Sequence, residues 1–297
     1  MSSHVRRMLH LCVICVSLTL GCVGQGQEKN GLPYGDNPAA GHYLRVGDAK
    51  IYYETYGDGG TPLVLLHGGM YGYIEEFGAL IQELSKSRRV IAVATRGHGK
   101  SEMGAQPFSY ALFASDALAV IRHEQLEQVD VLGFSDGAVT AYVLAAANPK
   151  LIRRLVAIGG PRKLADWTPS AQAEQKKAKA EDVERDSPEF VAARKKLMPE
   201  PERWREFIDR LNHLYLGPPF VTDAQIRSIT VPTLVMAGDH DPYNQISAFV
   251  ELYQLLPKGE LAFIPGCGHV VLECKGELTI GIAKTFLDKQ AKQGEMP

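Results

Sequence analysis

The sequence predicts an α/β protein: a mostly parallel sheet with helices on both faces and a helical cap inserted between two sheet strands. Three observations carry this expectation. Apolar runs at 63–66, 90–94, 155–158 and 233–237 read as strands covered on both sides, the pattern of parallel sheets. Helical stretches alternate with them, as βαβ units require. From 161 to 227 the alternation gives way to helix alone.

In chain order, 43–46 and 51–56 alternate around Gly47-Asp48 and read as an antiparallel hairpin. Leu63-Val64-Leu65-Leu66 ends in His67-Gly68-Gly69-Met70-Tyr71-Gly72. An amphipathic helix over 74–85, a buried strand over 90–94 and the turn Arg96-Gly97-His98-Gly99-Lys100-Ser101 follow. Leu112, Phe113, Ala117, Val120 and Ile121 share one face of a helix over 110–124. In the cap, 171–185, 188–197 and 202–214 read as helices, and the charge-dense first of these is a solvated face. Trp167, Phe190, Trp204, Phe207 and Tyr215 give the cap more apolar surface than its helices need for one another, so a minority should line a substrate cavity. Sheet pattern resumes at 233–237 and ends in Gly238-Asp239-His240-Asp241-Pro242. A helix over 246–256, a strand over 261–264, the loop Pro265-Gly266-Cys267-Gly268-His269 and a helix over 278–289 complete the chain.

The 297 residues, 45% of them hydrophobic, suffice for one large domain with an inserted lobe. A net charge of -2 argues against nucleic acid as a partner, which would call for a clustered basic face. No Cys/His metal spacing is present, and no metal or cofactor is expected.

The first residues read separately. His4, Arg6 and Arg7 precede an apolar run from 8 to 20 that suits a secretory signal and is too short to span a bilayer. Leu18-Thr19-Leu20-Gly21-Cys22 resembles a bacterial lipobox, with Thr19 where Leu is usual. The resulting expectation is a signal peptide over 1–21 and a flexible tether over 22–41. The core follows over 42–160, the cap over 161–227 and the rest of the core over 228–297. The mature protein is then exported, either as a lipoprotein held to the membrane through Cys22 or as a periplasmic or secreted protein. Cys267 and Cys274 remain in it; seven residues apart across a strand-to-helix turn, they are expected as unpaired thiols.

The chemistry centres on 129–141. Val129, Val131 and Leu132 form a short buried strand, Gly133-Phe134-Ser135-Asp136-Gly137 a turn, and 138–147 an Ala- and Leu-rich helix. Strand, G-x-S-x-G, helix is the setting of a nucleophile elbow. Turning from strand to helix within one residue strains the Ser and crowds the neighbouring backbones, so 133 and 137 need to lack side chains. A Ser hydroxyl is a poor nucleophile without a base in hydrogen-bond reach and an acid to orient that base. Asp241 and His269 each follow a buried strand and precede a helix, so all three side chains gather at one sheet edge. The order Ser135, Asp241, His269 is that of the α/β-hydrolases.

Through His67-Gly68-Gly69, Arg96-Gly97-His98-Gly99-Lys100-Ser101, the elbow, Gly238-Asp239-His240-Asp241 and Gly266-Cys267-Gly268-His269, residues 43–287 resemble a capped α/β-hydrolase-fold enzyme, with a sheet of the eight-stranded type. Ser-Asp-Gly in the elbow is most similar to the biphenyl-hydrolase-like and esterase or lactonase branches. Ala94 departs from the Asp that members often carry there. The resemblance implies a metal-free, cofactor-free serine hydrolase acting on a small carboxylic ester, lactone or related acyl compound. Ser135 would be the nucleophile, His269 the base and Asp241 the acid, favoured over Asp239 by family spacing. The backbone N–H groups of Gly69 and Asp136 would form the oxyanion hole. Asp136, Met70 and Phe134 are candidate substrate contacts, Asp136 either bonded within the protein or anchoring a substrate amine. His67 is expected to brace the oxyanion loop, His98 to be structural and Cys267 to pack. The same apparatus serves carbon–carbon bond hydrolases and cofactor-free perhydrolases. From another class, a non-catalytic receptor-like homologue is the alternative. Oligomeric state is not read from the sequence.

Overall fold

The computed structural model describes residues 32–289, so the expected signal peptide and Cys22 lie outside the described residues. Eight strands form one sheet: β1 (Gly41–Val46), β2 (Ala49–Tyr56), β3 (Leu63–Leu66), β4 (Val90–Val93), β5 (Val129–Phe134), β6 (Ile152–Ile158), β7 (Thr233–Gly238) and β8 (Gly259–Ile264). Their order is β1-β2-β4-β3-β5-β6-β7-β8, with β1/β2 and β2/β4 antiparallel and all other pairs parallel.

The strand period of two divides the core. Val64, Leu66, Val129 and Val131 face one apolar cluster, covered by α2 (Tyr110–His123), α3 (Asp136–Ala147) and α9 (Ile246–Leu255). Leu63, Leu65, Leu132 and Phe134 face the other, covered by α1 (Gly78–Leu84) and α11 (Gly276–Leu287). Between β6 and β7 stand α4 (Pro169–Gln175), α5 (Ala180–Asp186), α6 (Pro188–Leu197), α7 (Trp204–Leu216) and α8 (Asp223–Ser228). Trp204, Phe207, Ile208 and Leu211 of α7 are buried and belong to the first cluster, so the cap packs directly on the core.

Several boundaries differ from expectation for identifiable reasons. The helix expected over 74–85 opens as a 3-10 turn, Ile74–Phe77. The helix expected over 171–185 is broken into α4 and α5, where Asn212 of α7 takes the Ala178 carbonyl at 3.1 Å and the Gln175 amide at 2.8 Å. Strand β6 starts three residues early because Arg153, which breaks the apolar pattern, pairs with buried Asp130 of β5. Helices α8 and α10 (Val271–Cys274) were not expected, although the Thr222–Gln225 capping box of α8 is a recognisable start signal.

Two expectations are corrected. Residues 32–41 are not tether: Glu54 accepts from the Gly35 and Asn37 N–H groups at 2.8 and 2.9 Å, binding this stretch to β2. Cys267 and Cys274 are not free thiols but a disulfide, with Cα atoms 5.8 Å apart. The short helix α10 turns the chain back after His269 and brings Cys274 over Cys267, a fold-back that sequence separation does not reveal.

The Arg96 turn is anchored by charge. Its guanidinium, 1% exposed, meets Asp116 of α2 through two bonds of 2.9 and 2.8 Å and Asp48 of the β1–β2 turn at 2.5 Å. Removing one member of a buried pair strands the other without compensation. Arg96→Ala is expected to lower unfolding free energy by about 3–5 kcal/mol, measured by denaturant titration. A loss below about 1 kcal/mol would show that Asp116 is satisfied without it.

Candidate active site

Ser135 has φ 53° and ψ −117°, a left-handed conformation rare for a residue with a side chain. Its surroundings leave no alternative. A Cβ on Gly133 would collide with the Gly137 carbonyl, and one on Gly137 with the Leu66 carbonyl. The Ser135 N–H donates to Ile158 O at 2.7 Å, tying the turn to the end of β6, and α3 starts immediately after it.

His269 and Asp241 arrive from the ends of β8 and β7. His269 Nδ1 lies 2.7 Å from Asp241 Oδ2, and Nε2 lies 3.0 Å from Ser135 Oγ. A carboxylate only accepts, so the imidazole proton sits on Nδ1 and Nε2 presents its lone pair to the Ser hydroxyl. Asp241 is buried, which alone would raise its pKa. The His269, Asn244 and Tyr243 contacts outweigh burial and hold it below the ordinary carboxylate range. Its Oδ1 accepts from the Tyr243 and Asn244 N–H groups at 2.8 and 3.1 Å, and Oδ2 accepts from Asn244 Nδ2 at 3.1 Å. Asp239 lies apart, bonded to His240 and to the Gly266 N–H. Tyr243 stands edge-on to the His269 ring at 5.2 Å and Phe134 lies tilted against it at 5.1 Å.

No hydrogen bond within the described chain takes up the N–H of Gly69 or Asp136. The Asp136 side chain has both oxygens engaged: Oδ1 accepts from Tyr110 at 3.0 Å and Oδ2 from Tyr215 of the cap at 2.8 Å. Burial raises its pKa to about 6, against the opposing pull of the two hydroxyls and of His269. The carboxyl is thus bound within the protein, the plainer of its two readings. Phe134 is buried beneath His269, whereas Met70 lines a small hollow between the loop after β3 and the cap with Arg194, Met198 and Trp204. His98 is buried, with Nδ1 donating to Arg96 O at 3.2 Å.

The roles of Asn244 and Tyr110 escaped sequence reading, and Tyr215 was read only as a cap aromatic, without its bond to Asp136. Asn244, three residues after Asp241, had a local signal in the turn chemistry of Asp-Pro-x-Asn. The tyrosines had none, because α2 and the cap helix meet the elbow only in space.

The Asp136 carboxyl binds its proton more tightly in the fold than in the unfolded chain, where its pKa is near 3.8. Its contribution to stability is therefore greatest at low pH and declines as pH rises from about 4 to about 6. Denaturant melts of wild type and Asp136→Asn across that window should show the wild type losing stability relative to the variant. A pH-independent difference would place the carboxyl pKa near its ordinary value.

Known proteins bear on this geometry. A profile of the alpha/beta hydrolase family matches residues 63–278. The 2-(acetamidomethylene)succinate hydrolase of Mesorhizobium japonicum is 26% identical over 277 aligned residues, covering 84% of this chain and 97% of its own. The serine hydrolase BPHL of Mus musculus is 32% identical over 120 residues, 39% of this chain and 41% of its own. The solved enol-lactonase from Burkholderia xenovorans LB400 shares the fold, with a TM-score of 0.65 at 20% identity over 84% of this chain and 100% of its own. With the elbow, the eight-stranded sheet and a family match across most of its length, the chain belongs to the α/β-hydrolase family of enzymes.

Proposed function

We propose that the protein is a serine hydrolase of a small carboxylic ester, lactone or related acyl compound, working through an acyl-enzyme. One observation carries this reading: the unbroken hydrogen-bonded line from Ser135 Oγ through His269 to Asp241, beginning at a backbone conformation strained to expose the hydroxyl. Ser135 Oγ attacks the acyl carbon while His269 Nε2 takes its proton. Asp241, held anionic by its donors, stabilises the imidazolium and keeps the ring in place. The N–H groups of Gly69 and Asp136 receive the negative charge that develops on the carbonyl oxygen. His269 then returns the proton to the leaving alcohol. Water, deprotonated by the same nitrogen, releases the acid and restores Ser135.

The disulfide supports export, since such bonds persist in oxidising compartments. A tagged chain expressed in a bacterial host should fractionate outside the cytoplasm, and retention in the cytosol would oppose that reading.

The direct test is a fluorophosphonate, with the adduct located by mass spectrometry, alongside turnover of p-nitrophenyl acetate and butyrate. Modification is expected at Ser135, and Ser135→Ala should lower kcat/KM by about 10⁴-fold or more. No adduct at Ser135 in the native protein would sink the mechanism and favour a non-catalytic binding role.

A further inference from the structure

The loop that carries Gly69 is pinned at both polar groups of the residue before it. Gly68 donates its N–H to Glu76 Oε1 at 2.7 Å, and its carbonyl oxygen accepts from His67 Nδ1 at 2.7 Å. The Gly68 carbonyl and the Gly69 N–H belong to one planar trans peptide and point in opposite directions. Drawing the carbonyl toward His67 therefore aims the Gly69 N–H the other way. The tautomer of His67 is settled too: Nε2 accepts from the Thr95 N–H at 2.8 Å, leaving the proton on Nδ1. Gly72 N–H closes the loop onto Gly69 O at 2.6 Å.

His67 governs one side of Gly68, and Glu76 governs the other. Glu76 stands eight residues downstream, in the 3-10 turn Ile74–Phe77, and its other oxygen is also close: a Cβ on Gly68 would lie 3.6 Å from Oε2. Three charged groups face it. Arg194 of α6 favours its ionised form, while Glu75 of its own turn and Glu273 of α10 oppose it.

We propose that Glu76 is a positioning residue for hydrolysis at Ser135: its carboxyl fixes the Gly68 N–H, and with His67 it sets the peptide that aims the Gly69 N–H at the oxyanion. The proposal rests on the serine-hydrolase reading above. Glu76 touches no reacting atom. Its effect passes through the orientation of a backbone donor, so it should appear in kcat and leave KM nearly unchanged. It also carries a pH signature. Burial, the largest influence, raises the carboxyl to about 8. As pH rises through that value the group becomes a charged and stronger acceptor for the Gly68 N–H, so the loop tightens and kcat gains a further rise on the alkaline side.

The test compares wild type, Glu76→Ala and Glu76→Gln in p-nitrophenyl acetate turnover from pH 6 to 9, corrected for spontaneous hydrolysis. Losing an oxyanion donor outright costs about 10²–10³ in rate, so misaiming one in Glu76→Ala should lower kcat by about 10- to 100-fold with KM within about twofold. Glu76→Gln keeps an acceptor oxygen and should recover most of kcat while losing the rise near pH 8. Should the alanine variant fail to fold, the glutamine variant decides: loss of that rise supports the proposal and its retention overturns it.

Amide hydrogen exchange across residues 67–72 supplies a readout independent of catalysis. Exchange at the Gly68 amide should be at least about tenfold faster in Glu76→Ala than in wild type. Unchanged exchange with wild-type kcat in that variant would overturn the proposal. A wild type that takes no fluorophosphonate at Ser135 would instead remove the hydrolase reading, while exchange would still report whether Glu76 holds the loop.

Discussion

Gly137, in the first turn of the elbow helix, lies so close to the end of β3 that any side chain there would strike the Leu66 carbonyl. That approach governs the rest of the site. It forces the chain to reverse between β5 and α3 within one residue and leaves Ser135 in a left-handed conformation costing about 1–3 kcal/mol. It also sets the loop after β3, with Gly69, beside the first residue of α3, with Asp136. Segments from distant parts of the sequence become neighbours because two strands of one parallel sheet end side by side. The strain at Ser135 is sustained by the surrounding sheet, through its N–H to the end of β6 and through burial of α3 against its neighbours.

Around this turn, two carboxyl groups are driven in opposite directions. Asp241 receives four donors, from His269, Tyr243 and both nitrogens of Asn244, and these overcome burial to keep it ionised. Asp136 receives two neutral hydroxyls, which do not overcome burial, so its proton is held to about pH 6. The difference suits their places. In the proposed mechanism an anionic Asp241 would complement a positive imidazolium, whereas an ionised Asp136 would oppose negative charge gathering next to its own N–H. Environments that separate the pKa values of nearby acids divide the labour between them.

The cap is part of this arrangement. Tyr215 reaches from α7 to the Asp136 carboxyl, and its hydroxyl comes so near Gly69 that a Cβ there would collide with it. One side chain thus joins cap, elbow and the Gly69 loop. On the opposite side, the Cys267–Cys274 bridge closes the segment that carries His269. His269 and the Gly69 loop are each held by residues far from Ser135 in the chain, as a site built on packed elements requires.

Local pattern was enough for much of this. Apolar runs located the strands, the alternation with helices gave a parallel sheet, and glycines around Ser135, together with Asp241 and His269 at strand ends, gave the constellation and its order. These features are legible because each depends on residues near one another in sequence: strand periodicity, turn chemistry, a helix start. What escaped reading depends on approach across the fold. Asp136 was visible, but its tyrosine partners come from α2 and the cap. Cys267 and Cys274 were visible, but their pairing needed the chain to turn back through α10. Glu76 stood in an amphipathic stretch with nothing to mark it until its helical turn folded under Gly68. The sequence by itself determined which residue types stand at the ends of which strands. Only the tertiary structure decided which donors those residues meet, because hydrogen bonds and burial depend on distances that chain order does not contain.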